Sequence, residues 1–344
     1  MNCRFPAALL TVCLALGCSD NDAPEPVPAA TTPANSDQAP APVVNEQEQA
    51  DQQLGEKLGE YVRHCLNRHS RSVSRARQSY TGWIGGESGP TGEERHVFGV
   101  HELTVDATLC TEAVARAAAM PPAHEGLHTA GTQYVAALSA VIPKVNEAHV
   151  YYERENYKDD DFAGGRELHP ELMQRWSDFS AADQGLSLQV QQLQREIDNR
   201  RIAALESDPA RRTRFLIERA RLSAETIADL AGKVELDDEL RYGGVDAEEL
   251  SDAVTSFETH ADELDRHVQS GPSDLPSNGD RFASSVTDLV AAAKLLMRNV
   301  RDGNQVSASE ASRLGTPTGS TIEGSPDSLI DGYNDLINAY NRMR

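Results

Sequence analysis

The sequence predicts an all-α fold: long antiparallel helices forming one or two packed helical bundles behind a disordered N-terminal tether. Of 344 residues, 39% are hydrophobic but only 5% aromatic, and the abundant Ala, Leu, Glu, Arg and Gln are good helix formers. No run of convincing length alternates apolar and polar residues with the period of two that a half-buried strand requires. The formal charge of −22 argues against sequence-independent binding to nucleic acid or anionic head groups, which needs clustered cations.

The first element is not part of the fold. Arg4 precedes an apolar run from Ala7 to Leu16, far shorter than the ~20 residues that span a bilayer. Residues 1–17 therefore read as an export signal. It ends Leu14-Ala15-Leu16-Gly17-Cys18, which resembles a bacterial lipobox, with Cys18 as the lipidated residue carrying diacylglycerol and an acyl chain such as palmitate. Ser19 follows, where an Asp would signal inner-membrane retention in the lipoprotein class. The expected address is the outer membrane, facing the periplasm. Cleavage removes Arg4 and no carboxylate, so the exported chain is one unit more acidic than the precursor.

Residues 18–50 form the second element, rich in Pro, Ala, Asp, Asn and Gln and poor in large apolar side chains. Such a segment cannot bury enough surface to offset its ordering entropy. It reads as a flexible tether with a reach of roughly 30 Å. The cysteine count is consistent with this layout. Cys3 and Cys13 leave with the signal and Cys18 is acylated, so Cys65 and Cys110 remain in the body. Two thiols in an oxidising compartment suggest one disulfide; two separate buried cysteines are the alternative.

The body, 51–344, divides into possible halves 51–206 and 207–344. Leu54, Leu58, Tyr61, Val62, Cys65 and Leu66 fall at three-and-four spacing, so the first helix presents one apolar stripe and runs on toward Trp83. The glycine-rich run 85–92 ends it. A second helix is expected from Val97 to Met120, with Val100, Leu103, Ala107, Cys110 and Val114 inward. Pro121-Pro122 opens a third, striped by Leu127, Tyr134, Leu138, Val141 and Val145, with Pro143 inside it. A loop is expected over 156–165. Pro170 is placed at the start of a long helix through Glu206, and Asp208-Pro209 opens another. Three more are expected over Asp246–Gln269, Asp280–Arg301 and Asp327–Met343.

Several strings in this body carry a resemblance. The run from Tyr151-Tyr152-Glu153-Arg154-Glu155-Asn156-Tyr157-Lys158 through Asp159-Asp160-Asp161-Phe162-Ala163-Gly164-Gly165 to His169-Pro170-Glu171-Leu172-Met173 is similar to the central signature of the YiiG family of bacterial lipoproteins. Gly89-Pro90-Thr91-Gly92-Glu93, Gly99-Val100 and the tail Asn338-Ala339-Tyr340-Asn341-Arg342-Met343-Arg344 fit the same family. The resemblance covers most of the body. It implies a domain without assigned function, and no catalytic residue can be carried over from it.

Candidate sites must then be read from chemistry. Asp159 and Asp161, in an acidic loop with Asp160, offer oxygens to a hard cation. Counted as an EF-hand from Asp159, the loop has Gly164 at position six, but Ala163 at five and Pro170 at twelve supply no side-chain ligand. A solvated turn capping two helices is the simpler reading. His260, Glu263 and His267 stand at i, i+3 and i+7 of one expected helix, a spacing that can hold zinc or copper; an exposed charged stripe is the alternative. His124 and His128 lie one turn apart. Tyr151, Tyr152, Tyr157 and His169 are surface or groove candidates, though amphipathic aromatics more often pack in cores with a polar tip outward.

The chain has no G-x-S-x-G elbow, no P-loop and no C-x-x-C. The expected function is that of a non-enzymatic envelope lipoprotein without a cofactor, held to the membrane by its N-terminal lipid. It is expected to bind a protein or cell-wall partner and no nucleic acid. A periplasmic metal-binding helical module is the alternative.

Overall fold

A computed structural model describes residues 46–84, 89–316 and 318–343. The export signal, Cys18 and most of the tether lie outside the described residues. Among those described, no helix is long and apolar enough to cross a membrane. The fold is helical and comprises two compact units, one ending at Ile197 and the other running from Asp198 to Arg344.

The first unit opens with α1 (Glu46–Tyr61), continues through nine residues of π-helix (Val62–Ser70) and resumes as α2 (Arg71–Thr81). The predicted stripe is the buried one: Leu54, Leu58, Tyr61, Val62, Cys65 and Leu66 all face inward. Against them pack α3 (Thr108–Ala119), α4 (Glu125–Glu153) and the first part of α5 (Ala163–Glu206). Buried Cys110, Ala113, Val114 and Ala117 come from α3; Leu127, Tyr134, Leu138, Val141 and Val145 come from α4; Leu172, Trp176 and Phe179 come from α5. Cys65 and Cys110 are bonded, with sulfurs 2.03 Å apart and Cα atoms 4.8 Å apart, so the helix pair is stapled as the cysteine count suggested. One buried cation belongs to this unit. The Lys57 ammonium donates to the Met120 and Pro122 carbonyls at 3.0 and 2.7 Å, satisfying acceptors left open where α3 ends.

Two sequence expectations fail here, both for tertiary reasons. Residues 97–107 are not helical; α3 begins only at Thr108, whose amide donates to the Asp106 carboxylate at 2.9 Å. The backbone upstream finds its partners in side chains instead. Asn146 accepts from the Leu103 amide at 2.9 Å and donates to its carbonyl at 3.0 Å, while Trp83 Nε1 donates to Gly99 O at 2.7 Å. Those bonds satisfy strap backbone groups that a helix would otherwise have paired. The second failure is the loop over 156–165, which holds a 3₁₀ turn (Asn156–Lys158) and the start of α5, so Pro170 lies inside that helix. Gly164 and Gly165 read as loop residues by composition. Their role is close approach: a Cβ on Gly164 would sit 2.8 Å from the Tyr151 ring, and one on Gly165 2.7 Å from the Tyr152 hydroxyl.

The second unit packs α6 (Arg212–Ala231), α7 (Ala247–Gln269), α8 (Gly279–Arg301) and α10 (Pro326–Asn341), with a one-turn α9 (Ala308–Ala311) between the last two. Leu250, Val254, Phe257, Ala261 and Leu264 on α7, and Phe282, Val286, Leu289, Ala293, Leu296 and Val300 on α8, are buried at alternating steps of four and three. That spacing keeps one seam per helix facing the core. The predicted termini of α7, α8 and α10 agree within two residues, whereas α6 begins at Arg212, after a 3₁₀ turn (Pro209–Arg211) where the sequence opens it at Asp208-Pro209. The sequence reading missed a two-stranded antiparallel ladder, β1 (Glu235–Leu236) with β2 (Tyr242–Gly243); strands of two residues leave no periodicity to detect.

The Asp246 carboxylate caps α7, accepting from the Glu248 and Glu249 amides at 2.9 and 2.8 Å. Asp246→Ala should therefore destabilise the second unit by about 1 kcal/mol, read as a lower urea midpoint, with Asp246→Asn near wild type. An unchanged midpoint for the alanine variant would contradict this capping role.

Candidate functional site

A groove lies between the strap and the C-terminal end of α4. Val97, Phe98, Gly99, Val100, His101 and Glu102 form one wall, and His149, Tyr152, Glu153, Glu155 and Tyr157 the other, around a space of about 300 Å³. The strap can lie this close because Gly99 adopts φ +66, and a Cβ there would stand 3.1 Å from Tyr152 Cβ. The His149 ring holds Val100 O at 2.9 Å through Nδ1. Phe98 is held by none of this and stands 76% exposed at the rim.

Behind the groove lies a block of rings. Tyr152 packs edge-on against Trp83 at 5.2 Å and Tyr151 at 4.9 Å, and Tyr80 joins Tyr152, His169 and Trp176 at 5.9, 5.8 and 5.4 Å between centroids. His169 Nδ1 lies 3.1 Å from the Tyr80 hydroxyl. The four surface or groove candidates thus separate. Tyr152 and Tyr157 line the groove; Tyr151 and His169 are buried behind it as packing residues. Burial pushes the Tyr151 and Tyr152 hydroxyls above the usual tyrosine range, so neither is an acid-base group near neutrality.

In the acidic loop, Asp160 acts as a cap. Asp160 accepts from the Tyr151 hydroxyl at 2.8 Å and from the Gly164 amide at 3.0 Å, which starts α5. Burial pulls its carboxyl upward, but the bonds from Tyr151 and the loop amides outweigh that and hold it low. Asp161 uses its backbone carbonyl to accept from Arg166 at 2.6 Å. Glu155, Asp161 and Phe162 all have left-handed backbone, with φ of 56, 51 and 61. Three such non-glycine residues so close together mark a turn shaped by its surroundings.

The helix face His260, Glu263 and His267 exists as predicted, but its atoms are occupied by protein partners. Arg212 and Arg219 both ion-pair with Glu263. Burial raises that carboxyl, yet the two guanidiniums prevail and hold it below the usual range. A carboxylate held between two cations is a poor metal ligand. His260 Nδ1 lies 2.6 Å from Ser223 Oγ. The Thr213 hydroxyl gives its proton to Asp274 at 2.6 Å, so at 2.7 Å it accepts from His267 Nε2, which then has no lone pair for a metal. Among the described residues, no cluster of three or more His, Cys, Asp or Glu side chains is arranged to hold an ion, and His260, Glu263, His267, Asp159 and Asp161 do not gather into one.

The sequence reading notes that His124 and His128 lie one turn apart but counts no H-E-x-x-H in the chain, and that count is wrong. His124-Glu125-Gly126-Leu127-His128 is an H-E-x-x-H match, the pattern that binds zinc when both histidines project from one face of a helix. Here the string straddles a helix start. His124 is the N-cap of α4, with extended backbone, and its Nδ1 accepts from the Leu127 amide at 3.1 Å. His124 is thus engaged in helix capping, and among the described residues the two histidines belong to no cluster of three or more possible ligands. A second feature missed is the ionic centre of the other unit. There Arg221 reaches Asp198, Glu218 and Glu225 at 3.1 to 3.2 Å, and Tyr340 donates to Glu218 at 2.6 Å. Its polar groups are matched to one another, which makes it a packing centre.

The comparison with known proteins agrees in extent with this architecture. The DUF3829 family, described as a protein of unknown function, matches residues 52–342. The chain is also 26% identical over 324 residues to an Escherichia coli (strain K12) protein described as "Uncharacterized protein YiiG", covering 93% of this chain and 87% of that one. No solved structure matches.

Proposed function

Because the chain belongs to the DUF3829 family, which brings no assigned activity, we propose a role on the geometry of the molecule: a non-enzymatic envelope lipoprotein that binds a partner or ligand in the groove beside Tyr152 and Tyr157. Lipid on Cys18 anchors it to the outer membrane, facing the periplasm, and the tether lets the folded body stand clear of the lipid surface. The observation that carries the reading is the groove itself, a cavity of about 300 Å³ with exposed Phe98 at its rim. That volume is at the lower end of small-ligand sites. Two of its lining groups are already engaged: Tyr152 is held neutral by burial, and His149 is tied to a backbone carbonyl.

The test is photo-crosslinking of the full-length lipoprotein in intact cells. A photoreactive residue is placed at Phe98 and, as control, at Leu188, which is 60% exposed on α5 of the same unit. A discrete adduct at position 98 that is absent at 188 is the expected result. Equal labelling at both positions, or none at 98, would overturn the groove as the binding surface.

A further inference from the structure

The groove has a charge pattern as well as a shape. Its lining contains three carboxylates, Glu102, Glu153 and Glu155, and neither lysine nor arginine, beside the aromatic surfaces of Phe98 and Tyr157. Carboxylates and ring faces attract the same kind of guest. An ammonium group gains from the ring quadrupole and from the negative charge together, whereas an anion is repelled by both. The chain shows this chemistry at the rim of the groove with a group of its own. Lys158 Nζ lies 2.5 Å from Glu155 Oε1 and 5.9 Å from the centroid of the Tyr157 ring. This ammonium pairs with one of the three carboxylates while lying over one of the rings.

We propose that the groove takes a small linear polyamine, a flexible organic cation with amine groups spaced along an aliphatic chain. The proposal rests on the reading that this groove is the binding site. The remaining two carboxylates, Glu102 and Glu153, would hold ammonium groups, and the aliphatic links would lie on the exposed face of Phe98. Lys158 then acts as an internal competitor for Glu155 and Tyr157. A space of about 300 Å³ suits such a molecule and is too small for a protein helix.

The competition gives the proposal a sign that simple acidity lacks. In calorimetric titrations of the full-length chain with spermidine, wild type should bind saturably. Affinity should fall at least tenfold in the Glu102→Gln, Glu153→Gln double variant and rise several-fold in Lys158→Met, with circular dichroism unchanged in both. Absence of saturable binding would overturn the proposal. So would equal affinity in wild type and the double variant, which is what diffuse attraction to an acidic surface gives, or weaker binding in Lys158→Met. The two levels of the reading separate cleanly. A position-98 adduct without spermidine binding removes the polyamine and keeps the groove, while loss of the adduct removes the groove.

Discussion

Replacing both Cys65 and Cys110 by alanine should lower the unfolding free energy of the first unit by about 4 kcal/mol. The bridge closes a loop over a sequence separation of 45 residues. In the chain-entropy description, a cross-link of that span removes ~4 kcal/mol of conformational freedom from the unfolded ensemble. Because domain stabilities run to about 5–15 kcal/mol, the reduced unit would retain a fraction of its stability. Both tryptophans, Trp83 and Trp176, are buried in this unit, so their fluorescence reports its unfolding in the full-length chain. A urea midpoint that is the same for the variant and the oxidised wild type would refute the bridge as a major stabilising element.

The second large effect is a loss of stability in mild acid, centred on His69. This side chain is fully buried in the π-helical stretch, and neither ring nitrogen makes a hydrogen bond of good geometry. Burial, and then the nearby positive charge of Arg68, push the imidazole down from 6.5 to about 4, against an opposing pull from Asp106. The folded state therefore keeps His69 neutral where the unfolded chain protonates it. Stability is complete above pH 6.5 and is lost as pH falls toward 4, because over that window the unfolded state binds more protons. The contribution is on the order of 3 kcal/mol. His260, also lowered by burial, titrates in the other unit, so the decisive measurement is the difference between wild type and His69→Leu. Unfolding of the first unit should depend less steeply on pH in the variant between pH 4 and 6.5. Parallel pH profiles would exclude His69 as the source.

The helical architecture was legible because its signal is repeated and local. Leu250, Val254, Phe257, Ala261 and Leu264 write the α7 seam into the sequence, and the same rule places α8, α10 and most of α4. The strap was not legible, because what holds it is distant. Val97 to Met120 contains a helical pattern, yet Leu103 is bonded by Asn146 and Gly99 by Trp83, contacts that no window of neighbouring residues contains. The candidate sites follow the same division. Spacing correctly put His260, Glu263 and His267 on one helix, but the groups that occupy them, Ser223, Thr213, Arg212 and Arg219, come from elsewhere in the chain. Tyr152 and Tyr157 were recognisable as groove candidates. The opposite wall, Phe98 to Glu102, fell inside a predicted helix and could not be.

The strap also bears on how a guest would be received. A segment held by four side chains, Asn146 and His149 from α4 and Ser79 and Trp83 from the end of the first helical run, has already lost its backbone freedom when the protein folds. Binding against it would require ordering only the guest and the unheld ring of Phe98. A disordered loop in the same place would cost about 1–2 kcal/mol for each residue fixed on contact. The wall is therefore preorganised. Loosening it through Asn146 should weaken binding by an entropic route, without altering any residue that touches the guest.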